Sequence, residues 1–198
     1  DKLSTPFEMG IYSKGQGITQ YLWQIPMLFS TIVFARSAVS KDGLQFSHKV
    51  AQLLRVSLLF IGLMSIVLIV FSELIIVGMY GEPFRGSITV LNYLLPGVLI
   101  LTFYKVLNMD LAGKGKPWIS MKAMVPALVL NIIFNIVFIP KYGANGAAIS
   151  STISYGFAGV LFLFFYSKEA KISIREILSY RKTDFDPILN VLRQMKNR

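Results

Sequence analysis

Two ionisable side chains stand inside otherwise uncharged stretches of the 198-residue sequence, Glu73 and Lys105. A charge held at membrane depth is a functional candidate, and a lysine there suits an anionic group. Both also lie close enough to the end of an apolar run for a snorkelling stem to carry the charge to an interface, and Asp110 is available to Lys105 as a partner. Asn131 and Asn135 are four residues apart and share one helical face. Each amide then needs a partner, either on another helix or on a polar substrate. With Arg36 at the end of the first apolar run, Lys105, Asn131 and Asn135 make four candidates for the lining of a polar cavity. Catalytic constellations are missing. His48 is the single histidine and there is no cysteine, so neither a thiolate metal site nor a nucleophile–histidine pair can be assembled. Gly113-Lys114-Gly115-Lys116 lacks the spacing of a phosphate loop and runs into Pro117, which makes it a basic turn. No enzyme activity, cofactor or metal is expected.

The elements that must position these residues are apolar. Gly15–Ala35, Val56–Ser72, Ser87–Tyr104, Ala123–Pro140 and Tyr142–Ser167 contain no Asp, Glu, Lys, Arg or His. Each is close to or above the roughly 18–20 residues that cross a hydrocarbon core. Hydrophobic residues make up 54% of the chain and charged ones 15%, too little polar surface to cover five such helices in water. The expected fold is all-α and integral to a membrane, with spans near 15–38, 55–79, 87–111, 118–140 and 143–167 in a membrane domain over 10–167. A segment over 1–9 precedes it and a basic amphipathic tail over 168–198 follows. The first residues, Asp1-Lys2-Leu3, carry neither a methionine start nor a signal-peptide pattern, as expected for the C-terminal part of a longer protein. Pro26, Pro96 and Pro126 each fall within a span and predict kinks. Pro140-Lys141-Tyr142-Gly143 predicts a tight turn between antiparallel helices.

The net charge of +10 is distributed as membrane orientation requires, not as a nucleic-acid footprint, so no nucleic-acid partner is expected. Fifteen lysines and arginines fall on the side of the tail and four on the other, with Lys105 within a span. The positive-inside rule then places the tail in the cytoplasm and the first residue outside. In the tail, Ser173-Ile174-Arg175-Glu176 has capping-box spacing. Asp186-Pro187 predicts a second helix start, with Ile188, Leu189, Leu192 and Met195 on one face, suited either to the anionic leaflet or to solvent.

Several stretches resemble one family. Gly10-Ile11-Tyr12-Ser13 entering the first span looks like its G-x-Y-s motif, and Tyr80-Gly81, Phe84 and Ser87 look like its Y-G-x-x-F-x-x-S connection. The stretch from Asn131 to Ile149 is similar to the N-x-x-x-N…I-P-x-x-G-x-x-G-A-A signature of polysaccharide biosynthesis exporters. These are the O-antigen-type flippases, MATE-like proteins of the multidrug/oligosaccharidyl-lipid/polysaccharide superfamily. One departure is Ala35, where the family often has proline before the arginine. The resemblance implies a twelve-helix, two-lobe transporter of the cytoplasmic membrane, with these spans as its last five. It implies flipping of a lipid-linked oligosaccharide of isoprenoid pyrophosphate type for surface polysaccharide biosynthesis, with membrane lipids as the other partner. Two other readings remain open: a cation-coupled drug antiporter of the same superfamily, for which Glu73 and Asp110 are the available acids, and a non-transporting membrane subunit.

Overall fold

The computed structural model describes residues 4–185, and among these the secondary structure is entirely helical. Helix α1 (Pro6–Val39) starts where Thr5 accepts a hydrogen bond from the Glu8 amide and Pro6 fills the first turn. It therefore begins nine residues earlier than its uncharged run, because helix formation does not stop at Glu8 or Lys14. Ala35-Arg36 does not end it either; Arg36 lies in its last turn. Helix α2 (Gly43–Val70) is capped by Asp42, and after a break at Phe71 it is continued by α3 (Ser72–Tyr80). Helix α4 spans Ser87–Gly113 and α5 spans Ile119–Ala170. The short α6 (Ile174–Leu178) carries the expected Ser173–Glu176 capping box. The second helix start expected at Asp186-Pro187 lies outside the described residues.

Helices α2, α4 and α5 are each long and apolar enough to cross a membrane, and α1 meets that standard when its two arms, bent by 44° at Pro26, are taken together. By contrast, Pro96 and Pro126 sit inside helices that continue through them. Helix α5 has 52 residues and would be about 78 Å long if straight, more than twice the thickness of a bilayer core. It is not straight. Gly143 leaves the helical region at φ 54°, ψ −132°, and the chain reverses there, so that Gly146 packs on the backbone of Phe138. The turn between the limbs 119–142 and 144–170 thus occupies a single residue.

Helix α4 is the centre of the bundle, flanked by α1 and the second limb of α5 running parallel to it. Gly97 of α4 lies against Thr152, and Gly159 lies against the Ile100 carbonyl, so two glycines set the close approach of these helices. Ile18, Leu22, Ile61, Leu91 and Val98 fill one core region; Leu54, Leu107, Leu111, Phe162 and Tyr166 fill another towards the tail. Large apolar side chains remain outside, among them Leu63, Ile66, Leu128, Ile132 and Ile136. A water-soluble fold rarely leaves such a surface; lipid accepts it. The protein is a multi-pass membrane protein.

Candidate functional site

The two motifs around the first three spans meet in space. Ser87 donates to the Ile11 carbonyl at 2.7 Å, Gly10 lies against Phe84, and the Lys14 ammonium sits 4.9 Å from the centre of the Tyr80 ring. Tyr12 is thereby held facing the second limb of α5, where its hydroxyl and that of Ser151 are 2.9 Å apart. Glu8, one turn earlier, accepts from the Ala144 amide at 2.7 Å. A carboxylate there satisfies one of the free N–H groups that open the second limb and favours its positive end. No sequence pattern marks this contact, since Glu8 and Ala144 are 136 residues apart.

Between the start of α1 and the two limbs of α5 lies a cavity of about 520 Å³. Asn131 and Asn135 are both on its wall, with Tyr12, Ser151, Ser154 and Tyr155 opposite or beside them. The expected alternatives for the amides were another helix or a substrate. Instead, Asn135 donates to the Asn131 side-chain oxygen at 2.9 Å along the same limb. The Asn135 side-chain oxygen is buried without a partner among the described residues. Amide oxygens, hydroxyls and the nearby Glu8 carboxylate can hold water, hydroxyl groups or a hard cation, and the carboxylate disfavours an anion. Among the described residues no three His, Cys, Asp or Glu side chains gather as a metal site.

Lys105 is elsewhere. It lines a second recess of about 420 Å³ between α1 and α4, with Ser30, Thr31, Tyr104 and Asn108. Its ammonium lies 4.9 Å from the Trp23 ring centre, a cation–π contact, and no carboxylate is paired with it among the described residues. Trp23 also meets Tyr155, which lines the first recess, edge-on at 5.8 Å, so Trp23 touches both Lys105 and a wall residue of that recess. The four candidates therefore do not form one lining: the asparagines share one recess, Lys105 occupies another, and Arg36 is exposed on α1 outside both.

Asp110 does not serve Lys105. Its carboxylate is fully buried and accepts from Ser37 and Ser47 at 2.6 Å, from Tyr166 at 2.7 Å and from Lys114 at 2.9 Å. Lys114 also donates to the Gly43 carbonyl and to Ser47. One acid so joins α1, α2, α4 and the second limb of α5, and the basic turn after Gly113 supplies its counter-ion. Glu73 is exposed and paired with Arg85 at 2.7 Å. Arg85 also holds the Glu82 carboxyl below the ordinary carboxylate range.

At the same end the tail folds back on α2. Arg55, 6% exposed, donates through two nitrogens to the two oxygens of Asp184, 2% exposed, at 2.7 and 2.6 Å. Its remaining nitrogen donates to the Glu176 and Ile177 carbonyls. The Arg55 guanidinium holds the Asp184 carboxyl below its usual range, since it bonds the ionised form. The expected tail begins, then, as a docked segment of the bundle. From sequence Arg55 is one of the fifteen cations counted on the side of the tail; only its contacts set it apart.

Compared with known proteins, the chain matches the family described as Lipid II flippase MurJ over residues 25–188. It is 30% identical over 122 residues to the uncharacterized membrane protein MJ1068 of Methanocaldococcus jannaschii, covering 62% of this chain and 24% of that one. It is 26% identical over 108 residues to the probable low-salt glycan biosynthesis flippase Agl15 of Haloferax volcanii, covering 54% and 23%. With the capsular polysaccharide biosynthesis protein CapF of Staphylococcus aureus it shares 29% identity over 111 residues, covering 56% and 28%. The chain thus spans only about a quarter of the length of these relatives. No solved structure matches it.

Proposed function

Because this chain belongs to the Lipid II flippase MurJ family, we propose that the protein flips a lipid-linked oligosaccharide across the cytoplasmic membrane for surface polysaccharide biosynthesis. The observation that carries this reading is the family match over most of the membrane domain, supported by the relatives named for glycan and capsular polysaccharide work. The proposed orientation is tail inward, from the charge bias of the loops.

The geometry favours a division of labour. Lys105 is a half-buried cation without a carboxylate partner among the described residues, and it is the group proposed to meet the phosphate end of the carried lipid. The Asn131–Asn135 recess, with Glu8 nearby, suits uncharged or cationic groups and is not proposed to contact that phosphate. An antiporter would need a membrane acid free to exchange a cation. Asp110 has four donors around its carboxylate and Glu73 is engaged by Arg85, which supports the flippase reading over that alternative.

The test is surface-glycan complementation by the full-length protein in a strain lacking its own flippase. Lys105→Ala is expected to lower surface glycan by about tenfold or more at equal protein level, with Lys105→Arg retaining more. Unchanged export by Lys105→Ala removes the residue from the site. Failure of the wild-type protein with a matched panel of glycans overturns the flippase proposal itself.

A further inference from the structure

The docked tail and the first turns of α2 enclose a polar cavity of about 180 Å³ that none of the transport roles above uses. His48, Lys49 and Arg55 face it from α2; Glu176, Arg181 and Asp184 face it from the tail. Arg55 and Asp184 neutralise each other, and the Glu176 carboxylate is taken by the backbone and hydroxyl of Ser173. The Lys49 ammonium, the Arg181 guanidinium and the His48 ring have no hydrogen-bond or ion-pair partner among the described residues. Glu176 remains an anion within electrostatic reach of His48 and Arg181, so three cations and an imidazole face two carboxylates and leave the cavity with a net positive charge.

The depth of the cavity decides what it meets. Lys49 and Gln52 stand seven and four residues before Val56, where the uncharged run of α2 begins. At 1.5 Å per residue that is about 6–10 Å outside the hydrocarbon, the level of headgroup phosphates. Basic pockets at that level take anionic headgroups. We infer that this cavity binds a phosphate group, held by Lys49, Arg181 and His48. The group is carried by an anionic phospholipid or is free in solution, and when bound it ties the tail to α2, because the cavity draws its walls from both. The inference rests on the membrane assignment and the docked tail, not on the flippase reading.

The experiment is native mass spectrometry of the full-length protein released from bilayer discs. The discs contain phosphatidylcholine alone, phosphatidylcholine with phosphatidylglycerol, or phosphatidylcholine with inorganic phosphate added to the buffer. Wild-type protein is expected to retain phosphatidylglycerol over phosphatidylcholine, and Lys49→Gln with Arg181→Gln to lower that retention roughly tenfold or more. Both substitutions leave the Arg55–Asp184 pair in place. Lys122→Gln with Lys168→Gln, two exposed cations at the same end, is expected to change nothing. Retention of phosphatidylglycerol that Lys49→Gln with Arg181→Gln lowers identifies a headgroup; retention of inorganic phosphate that the same pair abolishes identifies a soluble ligand. Equal losses in both double variants, or none in either, overturn the site. None of these outcomes depends on export, so they stand apart from the glycan test.

Discussion

Replacing Asp184 by asparagine keeps its size and removes the charge that faces Arg55. In the folded chain both partners are almost wholly buried, at 2% and 6% exposure, and the pair is bidentate. Removing one member of such a pair costs about 3–5 kcal/mol, because the survivor is left buried without its counter-charge. Arg55 keeps two backbone carbonyl acceptors, at 3.1 and 3.0 Å, so the lower end of that range applies. About 3 kcal/mol is roughly a hundredfold or more in the docking equilibrium. The tail can relieve the strain by lifting away, so the loss should appear as undocking and not as collapse of the bundle. The chain has no cysteine, so a single cysteine at Ile177, fully buried in the docked tail, reports undocking by its rate of thiol labelling in inside-out vesicles. Asp184→Asn should raise that rate by about a hundredfold, and Arg55→Met should raise it similarly. The double variant should show far less than the product of the two. The pH dependence has a definite sign. The folded-state carboxyl is held below its ordinary value, so the docking contribution is present above the unfolded carboxylate range. It is lost as pH falls through the lowered value. Docking should be flat at neutral pH and weaken only below about pH 4. Labelling of Asp184→Asn at the wild-type rate would refute the clamp, as would two fully independent effects in the cycle.

Gly143→Ala should destabilise the protein by about 1–3 kcal/mol in detergent thermal unfolding, since φ is +54° and the added methyl would meet a Glu8 oxygen at 2.5 Å. A stability equal to wild type would show that the reversal does not require glycine. Asp110→Ala leaves the Ser47 and Tyr166 hydroxyls without their acceptor and Lys114 without its counter-ion and should cost about 3–5 kcal/mol in the same assay, while a loss under 1 kcal/mol would remove its role as the joint of four helices. For the proposed orientation, single cysteines at Gln45, Lys141 and Ser179, all exposed, should differ in intact cells. Only Lys141→Cys should react with a membrane-impermeant thiol reagent, and reaction of Ser179→Cys would reverse the assignment.

Membrane character, helical class and the family were legible in sequence because each rests on local pattern. Long uncharged runs demand helices in lipid whatever their neighbours, and the Asn131–Ile149 stretch carries its spacing along one continuous segment. The capping box at Ser173 and the turn at Gly143 are equally local, closed within a few residues. Pairing across the bundle was not legible. Lys105 and the two asparagines look equivalent as polar residues in apolar runs, yet the packing of the helices puts them in different recesses. Asp110 looked like a partner for Lys105, five residues away, but the helix carries it to Ser37, Ser47 and Tyr166, which are 56 to 73 residues distant. The same holds for Glu8 on Ala144 and Arg55 on Asp184. A span's hydrophobicity is a sum over its own residues, so sequence alone determines it. The partner of a buried polar group depends on which faces α1, α2, α4 and α5 turn towards one another, and that is set only when all of them pack.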